Sequence, residues 1–386
     1  MKIPAGRDSM NAEEIYSEIL EQISRGVWTA GQQLPTERAF AERYGVSRPT
    51  ISRVLNRLKA AGHITRAVGA GTFLTEVPAP TARAQRKSIG LFIPGLGRGE
   101  IFEPICAHIA ELSNQHDIML IWGSLPAGAS RNPEQLVQAA ERLVAQGVNG
   151  VFFQPVEREK GAEQQNRRIT ELFTGAGVKL VLLDSDFLPF PDRGPYDLVA
   201  IDNVGAGYEL CRHFLVQGAQ RVDFLWRPYT AGTCEQRLIG YREALVRAGI
   251  APSPAWEHEG DASEPSFVAR IIDGGARNII CVNDETASQV MRGLDDLGLS
   301  VPDDVRIAGF DDVKYAHLLR VPLTTMRQPC RALAEIAVRT MINRIDQPEL
   351  PPAVLSVRAE LCVRRSSRLG ADAQATTVRA ISIAGE

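Results

Sequence analysis

The stretch VSRPTISRVLNRLKAAGHITRAVGAGTFL, residues 46–74, decides the fold at the N-terminal end of the chain. Ile51, Val54, Leu55 and Leu58 recur at helical spacing and form one apolar stripe. Ser47 stands where an N-cap belongs, and Val46 and Ile51 occupy the two ends of a hydrophobic staple. Pro49 falls in the first turn, where a missing N–H costs little. The opposite face carries Pro49, Ser52, Arg53 and Asn56, with Arg48 and Thr50 at the N-terminal end. Such a face offers donors for base edges and phosphates, and its N-terminal end is the part that enters a groove. Past Gly62, apolar and polar residues alternate on both sides of Gly69-Ala70-Gly71, the pattern of a short hairpin with a glycine-rich tip.

Upstream, Ile15, Ile19 and Ile23 lie four apart with Tyr16 and Leu20 beside them, and Gly26 follows as a C-cap. Pro35 then marks a turn, Thr36 is an N-cap, and Phe40 and Tyr44 share a short helix that stops at Gly45. Three helices and a hairpin describe a winged helix-turn-helix. Charge agrees. Residues 1–87 carry 13 Lys and Arg against 8 Asp and Glu, while the remainder carries 30 against 38. A basic head on an acidic body points to nucleic acid as the head's partner.

Residues 77–87, VPAPTARAQRK, read as a semi-extended tether. Beyond it, apolar runs alternate with amphipathic helices. Strand candidates are 89–93, 118–122, 150–154, 179–184, 197–202, 221–226, 278–283 and 305–310. Near-continuous apolar strands separated by helices indicate parallel sheets covered on both faces. There are too many units for one doubly wound domain, and the pattern restarts at about residue 197. The expectation is therefore two α/β lobes with a ligand cleft beyond the C-terminal strand ends. Gln154, Asp184, Asn203, Asn283-Asp284 and Asp311-Asp312 sit at those ends. Asp and Asn also favour turns and helix entries, but several on one cleft suit a polyhydroxylated ligand, each of whose hydroxyls both donates and accepts. Phe102, Phe153 and Phe187 are near enough to supply an aromatic face, although core packing is the commoner role for most such residues.

Two resemblances sharpen these readings. Residues 12–76 resemble the DNA-binding domain of the GntR family in the LP-x-ER run, the GVSR step, the L-x-x-x-G exit and the G-x-G-T-F wing. The resemblance implies DNA contacts from Arg38, Ser47, Arg48, Pro49, Thr50, Ser52, Arg53 and Gly69. Pro49 stands where that family often has Thr, and Ser52 where it often has Arg, so operator sequence does not carry over. Residues 88 to about 365 resemble the effector domain of the LacI/GalR regulators, related to type I periplasmic binding proteins. The runs VPDDVRIAGFDD and LTTMRQP carry that likeness most strongly. It implies ligand contacts from Phe102, Gln154, Asp184, Arg237, Asn283, Asp311 and Gln328, with Ser185 replacing an Arg of the ribose-binding relatives.

The predicted fold class is thus α/β, with a winged helix-turn-helix over 1–76, a linker over 77–87, a two-lobed body with parallel sheets over 88–366 and a disordered tail over 367–386. The expected function is a ligand-responsive transcription regulator. Its expected partners are double-stranded operator DNA, a small sugar-like effector and a second copy of the chain. A transport receptor is the rival reading. An enzyme is a second rival, but only Lys160, Lys179 and Lys314 occur beyond the linker, none in an activating motif. No hydrolase, zinc-protease or P-loop motif appears, and the six His are dispersed. No cofactor or metal is expected. The start has no apolar export segment, no run is long enough for a membrane span, and the six Cys are scattered, so free thiols and a cytoplasmic location are expected.

Overall fold

A computed structural model describes residues 11–24, 27–29, 31–60, 62–67, 71–75, 86–94, 96, 101–123, 132–157, 159–230 and 232–368. The chain divides into two compact units at Arg86–Lys87. In the first, α1 (Ala12–Ser24), α2 (Glu37–Tyr44) and α3 (Arg48–Ala60) precede an antiparallel hairpin of β1 (Ile64–Ala67) and β2 (Gly71–Leu74). Thr36 caps α2 by accepting from the Ala39 N–H, and Gly45 ends it in the left-handed region at φ 67°. The stripe Ile51, Val54, Leu55 and Leu58 is buried against Ile15, Ile19, Trp28, Phe40 and the hairpin residues Ile64 and Leu74. The segment just before Pro35 joins the hairpin: Gln33 bridges Phe73, and Leu34 donates to the Thr72 carbonyl at 2.8 Å.

The second unit is two parallel sheets. The first runs in the order β4 (Met119–Trp122), β3 (Ser88–Phe92), β5 (Gly150–Phe153), β6 (Lys179–Leu183), β7 (Asp197–Ile201), β13 (Val354–Val357). The second runs β9 (Glu257–Glu259), β8 (Asp223–Trp226), β10 (Asn278–Cys281), β11 (Arg306–Asp311), β12 (Thr324–Arg327), β14 (Glu360–Cys362), with β14 antiparallel. In the first sheet, α4 (Phe102–Gln115) and α11 (Cys330–Asp346) cover one face, and α5 (Pro133–Ala145) and α6 (Ala162–Gly175) the other. In the second, α7 (Asn203–Leu215) and α8 (Gly232–Arg247) cover one face, and α9 (Pro265–Asp273) and α10 (Asp284–Asp296) the other. Strands β3, β5 and β7 are buried throughout, as strands covered on both faces must be.

The restart expected at residue 197 falls elsewhere. β7 pairs with β6 in the first sheet, and the second lobe opens one residue past Asp202, with α7. The chain crosses between lobes three times: after β7, between β12 and α11, and between β13 and β14. Each lobe is thus made of segments far apart in sequence. The tail boundary also moves. Ser366 and Ser367 are fully buried in a 3-10 turn, and the Ser367 hydroxyl lies 2.6 Å from Thr324 Oγ1, so the body extends past residue 366. The expected disordered tail from 369 onward and linker residues 77–85 lie outside the described residues. Lys87 at the linker's end pairs with Asp346 at 2.9 Å. All six Cys are free, four of them buried.

Candidate DNA-binding face and ligand cleft

In the first unit, α3 presents its polar side as its apolar periodicity requires. Arg48, Pro49 and Arg53 are exposed, and Thr50 and Ser52 are half-buried. The Ser47 hydroxyl accepts from the Thr50 N–H at 3.4 Å and lies 2.8 Å from the Thr50 hydroxyl. That pair fixes the first turn, so Ser47 acts as the expected cap. Arg38 holds Glu42 at 2.8 Å, but both side chains are mostly exposed, and such a pair yields readily to a phosphate. Arg66 of β1 reaches Glu37 at 2.9 Å and Asn56 at 3.2 Å, tying α2, α3 and the hairpin together. Asn56 is therefore engaged inside the domain, which its place on the polar face did not reveal. Gly69 lies outside the described residues.

In the second unit, the cleft residues converge around Arg237 of α8, which is 5% exposed. Its Nε donates to Asn203 Oδ1 at 2.9 Å, and its Nη1 to the Val282 carbonyl at 2.6 Å. Its guanidinium lies over the Phe310 ring, 4.5 Å from the centroid. Nη2 is 3.8 Å from Asp311 Oδ1, which instead accepts from Gln328 Nε2 at 2.8 Å. Gln328 Oε1 is buried and has no hydrogen-bonding partner among the described residues. A donor edge of Arg237, a carboxylate and an orphaned acceptor thus stand together. Asn203 begins α7 just after the first crossing, and Gln328 lies on the second, so the network spans the hinge.

The remaining expected residues take varied places. Asn283, next to Val282, caps α10 through its Oδ1, which accepts from the Thr286 N–H at 2.8 Å. Asp184 follows β6 with φ 71°, and Asp311 ends β11 with φ 107°; such left-handed backbone at strand ends is a feature that concentrates at functional sites. Cys330, at the start of α11, links these parts. Its Sγ is 3.9 Å from the Ile101 carbonyl, and burial, with the nearby Asp311 and Asp184 charges, pushes its thiol up to about 11. Phe102 is packed into the core at 2% exposure, and Phe153 is fully buried, so neither presents a ring face to solvent. Gln154 is 2% exposed, its N–H bonded to the Phe92 carbonyl.

Beneath this layer lies a support built on a strand-end residue that the sequence offers as a cleft candidate. Asp284 is fully buried; it accepts from the Thr325 hydroxyl at 2.7 Å and the Val313 N–H at 3.1 Å. Burial, and then the Asp311 charge, raise its pKa well above the usual carboxylate range. A Cβ on Gly309 would stand 2.4 Å from Asp284 Oδ1, so the glycine is needed for this approach. Asp312 is held below its ordinary range, against the effect of burial, by hydrogen bonds from Arg327 and Arg364. Among the described residues no group of His, Cys, Asp and Glu is arranged to hold a metal, and no helix is long and apolar enough to cross a membrane.

A winged helix with a cationic recognition face, carried on a two-lobed body with a polar cleft, is the build of a transcription regulator that senses a small molecule. Known proteins bear this out. Residues 11–74 match the model of the bacterial regulatory proteins of the gntR family, and residues 211–367 that of the periplasmic binding protein-like domain. The chain is 24% identical over 366 residues to the arabinose metabolism transcriptional repressor of Geobacillus stearothermophilus, covering 92% of this chain and 97% of that one. It is 26% identical over 352 residues to the HTH-type transcriptional repressor PurR of Glaesserella parasuis, covering 87% and 99%. Among solved structures, transcription regulator CcpA of Lactococcus lactis superposes with a TM-score of 0.64 at 18% identity, over 74% of this chain and all of that one. A CelR–cellobiose complex superposes with a TM-score of 0.62 at 20% identity, over 86% of this chain. The chain joins a GntR-type helix-turn-helix domain to a periplasmic-binding-protein-like effector domain, and the relatives named here are regulators, not enzymes.

Proposed function

We propose that the protein is a repressor that binds a palindromic operator as a homodimer and is released when a small sugar-like effector enters the cleft between the lobes. The observation that carries this reading is the network joining Arg237, Asn203, Asp311 and Gln328 across two of the three crossings. A ligand engaging it touches both lobes at the hinge, so it favours the closed state by its differential contacts there. Arg48, Thr50, Ser52 and Arg53 read the operator, with Arg38 and Ser47 on the backbone; Asp184, Arg237, Asn283, Asp311 and Gln328 hold the effector.

The charges favour an uncharged ligand. Arg237 stands 3.8 Å from the Asp311 carboxylate, and Asp184 adds a second carboxylate near Cys330, so a sugar acid or phosphate meets net negative charge, whereas a hydroxyl can donate to Asp311 and accept from Nη2. The test is thermal melting of the purified protein with sugars, polyols, sugar acids and purines, followed by an operator titration with any stabilising compound. A ligand at about 100 times its Kd adds about 2.7 kcal/mol of stability. Stabilisation by a neutral sugar that also releases operator is the expected result. A purine as the sole responder, or tighter operator binding with ligand, would replace this reading with that of a purine-responsive or corepressed regulator.

A further inference from the structure

We infer that the effector cleft has an annex at the hinge that accommodates a second sugar ring, so that the effector is a disaccharide or glycoside and not a single pentose or hexose. This rests on the sugar-sensor reading above. Asp184 and Asn203, both part of the cleft, also line a cavity of about 180 Å³ that runs from the first crossing along the face of β7 and β13. That volume is about six waters' worth of liquid, the scale of one pyranose ring.

The cavity exists for an identifiable reason. Val354 pairs with Leu198 and Ser356 with Ala200, so these four side chains share one face at the edge of the first sheet. On that face α6 packs against β6, while Val354 of the edge strand β13 stays 47% exposed. The connection between β6 and β7 brings Phe190 and Arg193 over the gap. Position 185 adds room, because a serine stands there directly after Asp184.

The walls match a sugar ring in kind. Leu198, Ala200, Val354 and Phe190 form an apolar side for a ring's C–H face. Ser185, Ser356 and the Gln236 amide form a polar side for its hydroxyls. Ser185 is only 4% exposed, and its hydroxyl makes no hydrogen bond to any described residue. Arg193 stands with two carboxylates, Asp184 and the Asp202 that caps α7 through the Gly205 N–H, so the annex disfavours an anionic unit and suits an uncharged one. Gln236 comes from α8 of the second lobe and the other walls mainly from the first. A ring seated there bridges the lobes beside the hinge, next to the Asn203 that orients Arg237.

The test is calorimetric titration of the full chain with glucose, galactose, xylose and arabinose, and with cellobiose, lactose, maltose and xylobiose. A disaccharide is expected to bind at least about tenfold more tightly than its own monosaccharides. Ser356→Trp, on an exposed position of an edge strand, fills the annex; it is expected to weaken that disaccharide by at least about tenfold and its monosaccharide by less than about threefold. Gln236→Ala removes a polar contact without adding bulk, is expected to act in the same selective sense, and decides the matter if the tryptophan variant melts abnormally. Monosaccharides binding as tightly as disaccharides, or both weakened equally by the variants, would overturn the annex and leave the sugar-sensor reading standing. No binding by any of the eight sugars would overturn both.

Discussion

Arg237, proposed above to hold the effector, is positioned by partners within the protein. Two of its donors are spent on Asn203 and the Val282 carbonyl, and Phe310 supports its face, so the guanidinium plane is fixed with Nη2 towards Asp311. Lysine has one mobile point charge and cannot satisfy these partners at once. Arg237→Lys is therefore expected to weaken effector binding by at least about tenfold, or roughly 1.4 kcal/mol, read by titration calorimetry with the sugar that stabilises the wild type. Arg237 was legible only by family resemblance. Its orienting partner Asn203 was noted as a strand-end residue, but nothing in the sequence joins positions 34 apart on different helices. Phe102 illustrates the opposite limit: an aromatic beside a cleft loop reads equally as ligand contact and as core, and here it packs into the core.

His213 carries a second prediction at this scale. Its ring lies 2.8 Å from the Ser367 hydroxyl. Burial, and then the charges of Arg306 and Arg368, lower its pKa from 6.5 to about 4. The folded state therefore binds fewer protons than the unfolded one between these values. Its stabilising contribution is complete above pH 6.5 and declines as pH falls towards 4, with a slope of at most about 1.4 kcal/mol per pH unit. Urea unfolding measured across that window is expected to lose this slope in His213→Gln. An unchanged slope in the variant would assign the acid sensitivity to other groups.

At the scale of elements, α7 and α8 meet almost without side chains between them. A Cβ on Gly207 would lie 2.0 Å from the Arg237 carbonyl oxygen, and one on Gly240 would lie 1.9 Å from that of Val204. Backbone contact makes the pair one rigid body, so the first crossing and Arg237 move together. Gly207→Ala must force the helices apart. Overpacking of this kind costs about 1–3 kcal/mol, while alanine's better helix propensity returns at most about 1 kcal/mol. The expected outcome is a lower urea midpoint together with weaker effector binding, since Arg237 is displaced from Asp311. Loss of stability with unchanged affinity would show that the helix contact does not position the site. Element by element, the central strands were readable because they are apolar throughout. β12 was not, since it buries Thr324 and Thr325, whose hydroxyls are satisfied by Arg364, Ser367 and Asp284. β9, β13 and β14 lie at sheet edges and keep polar or exposed residues, which hydropathy does not mark.

At the scale of the whole molecule, the two units are separately legible in the sequence, but the crossings within the body are not. Periodicity reports which segments are buried and never which sheet they join, so β7 looked like a new beginning when it closes the first lobe. In the proposed mechanism those crossings make the body a switch, because the network proposed to hold the effector rests on two of them and a ligand there would bias the lobes' arrangement. If that bias is what releases operator, linkage fixes a reciprocal effect. Should effector reduce operator affinity by a given factor, saturating operator must reduce effector affinity by the same factor; a coupling of about 1–3 kcal/mol corresponds to about 5–150-fold. Calorimetric titration of the responsive sugar into free protein and into the protein–operator complex measures one side, and operator titration with and without sugar measures the other. Equal weakening in both directions is the expected result. Tightening in both would mean corepression, and no change in either would mean that the cleft senses its ligand without speaking to the DNA-binding head.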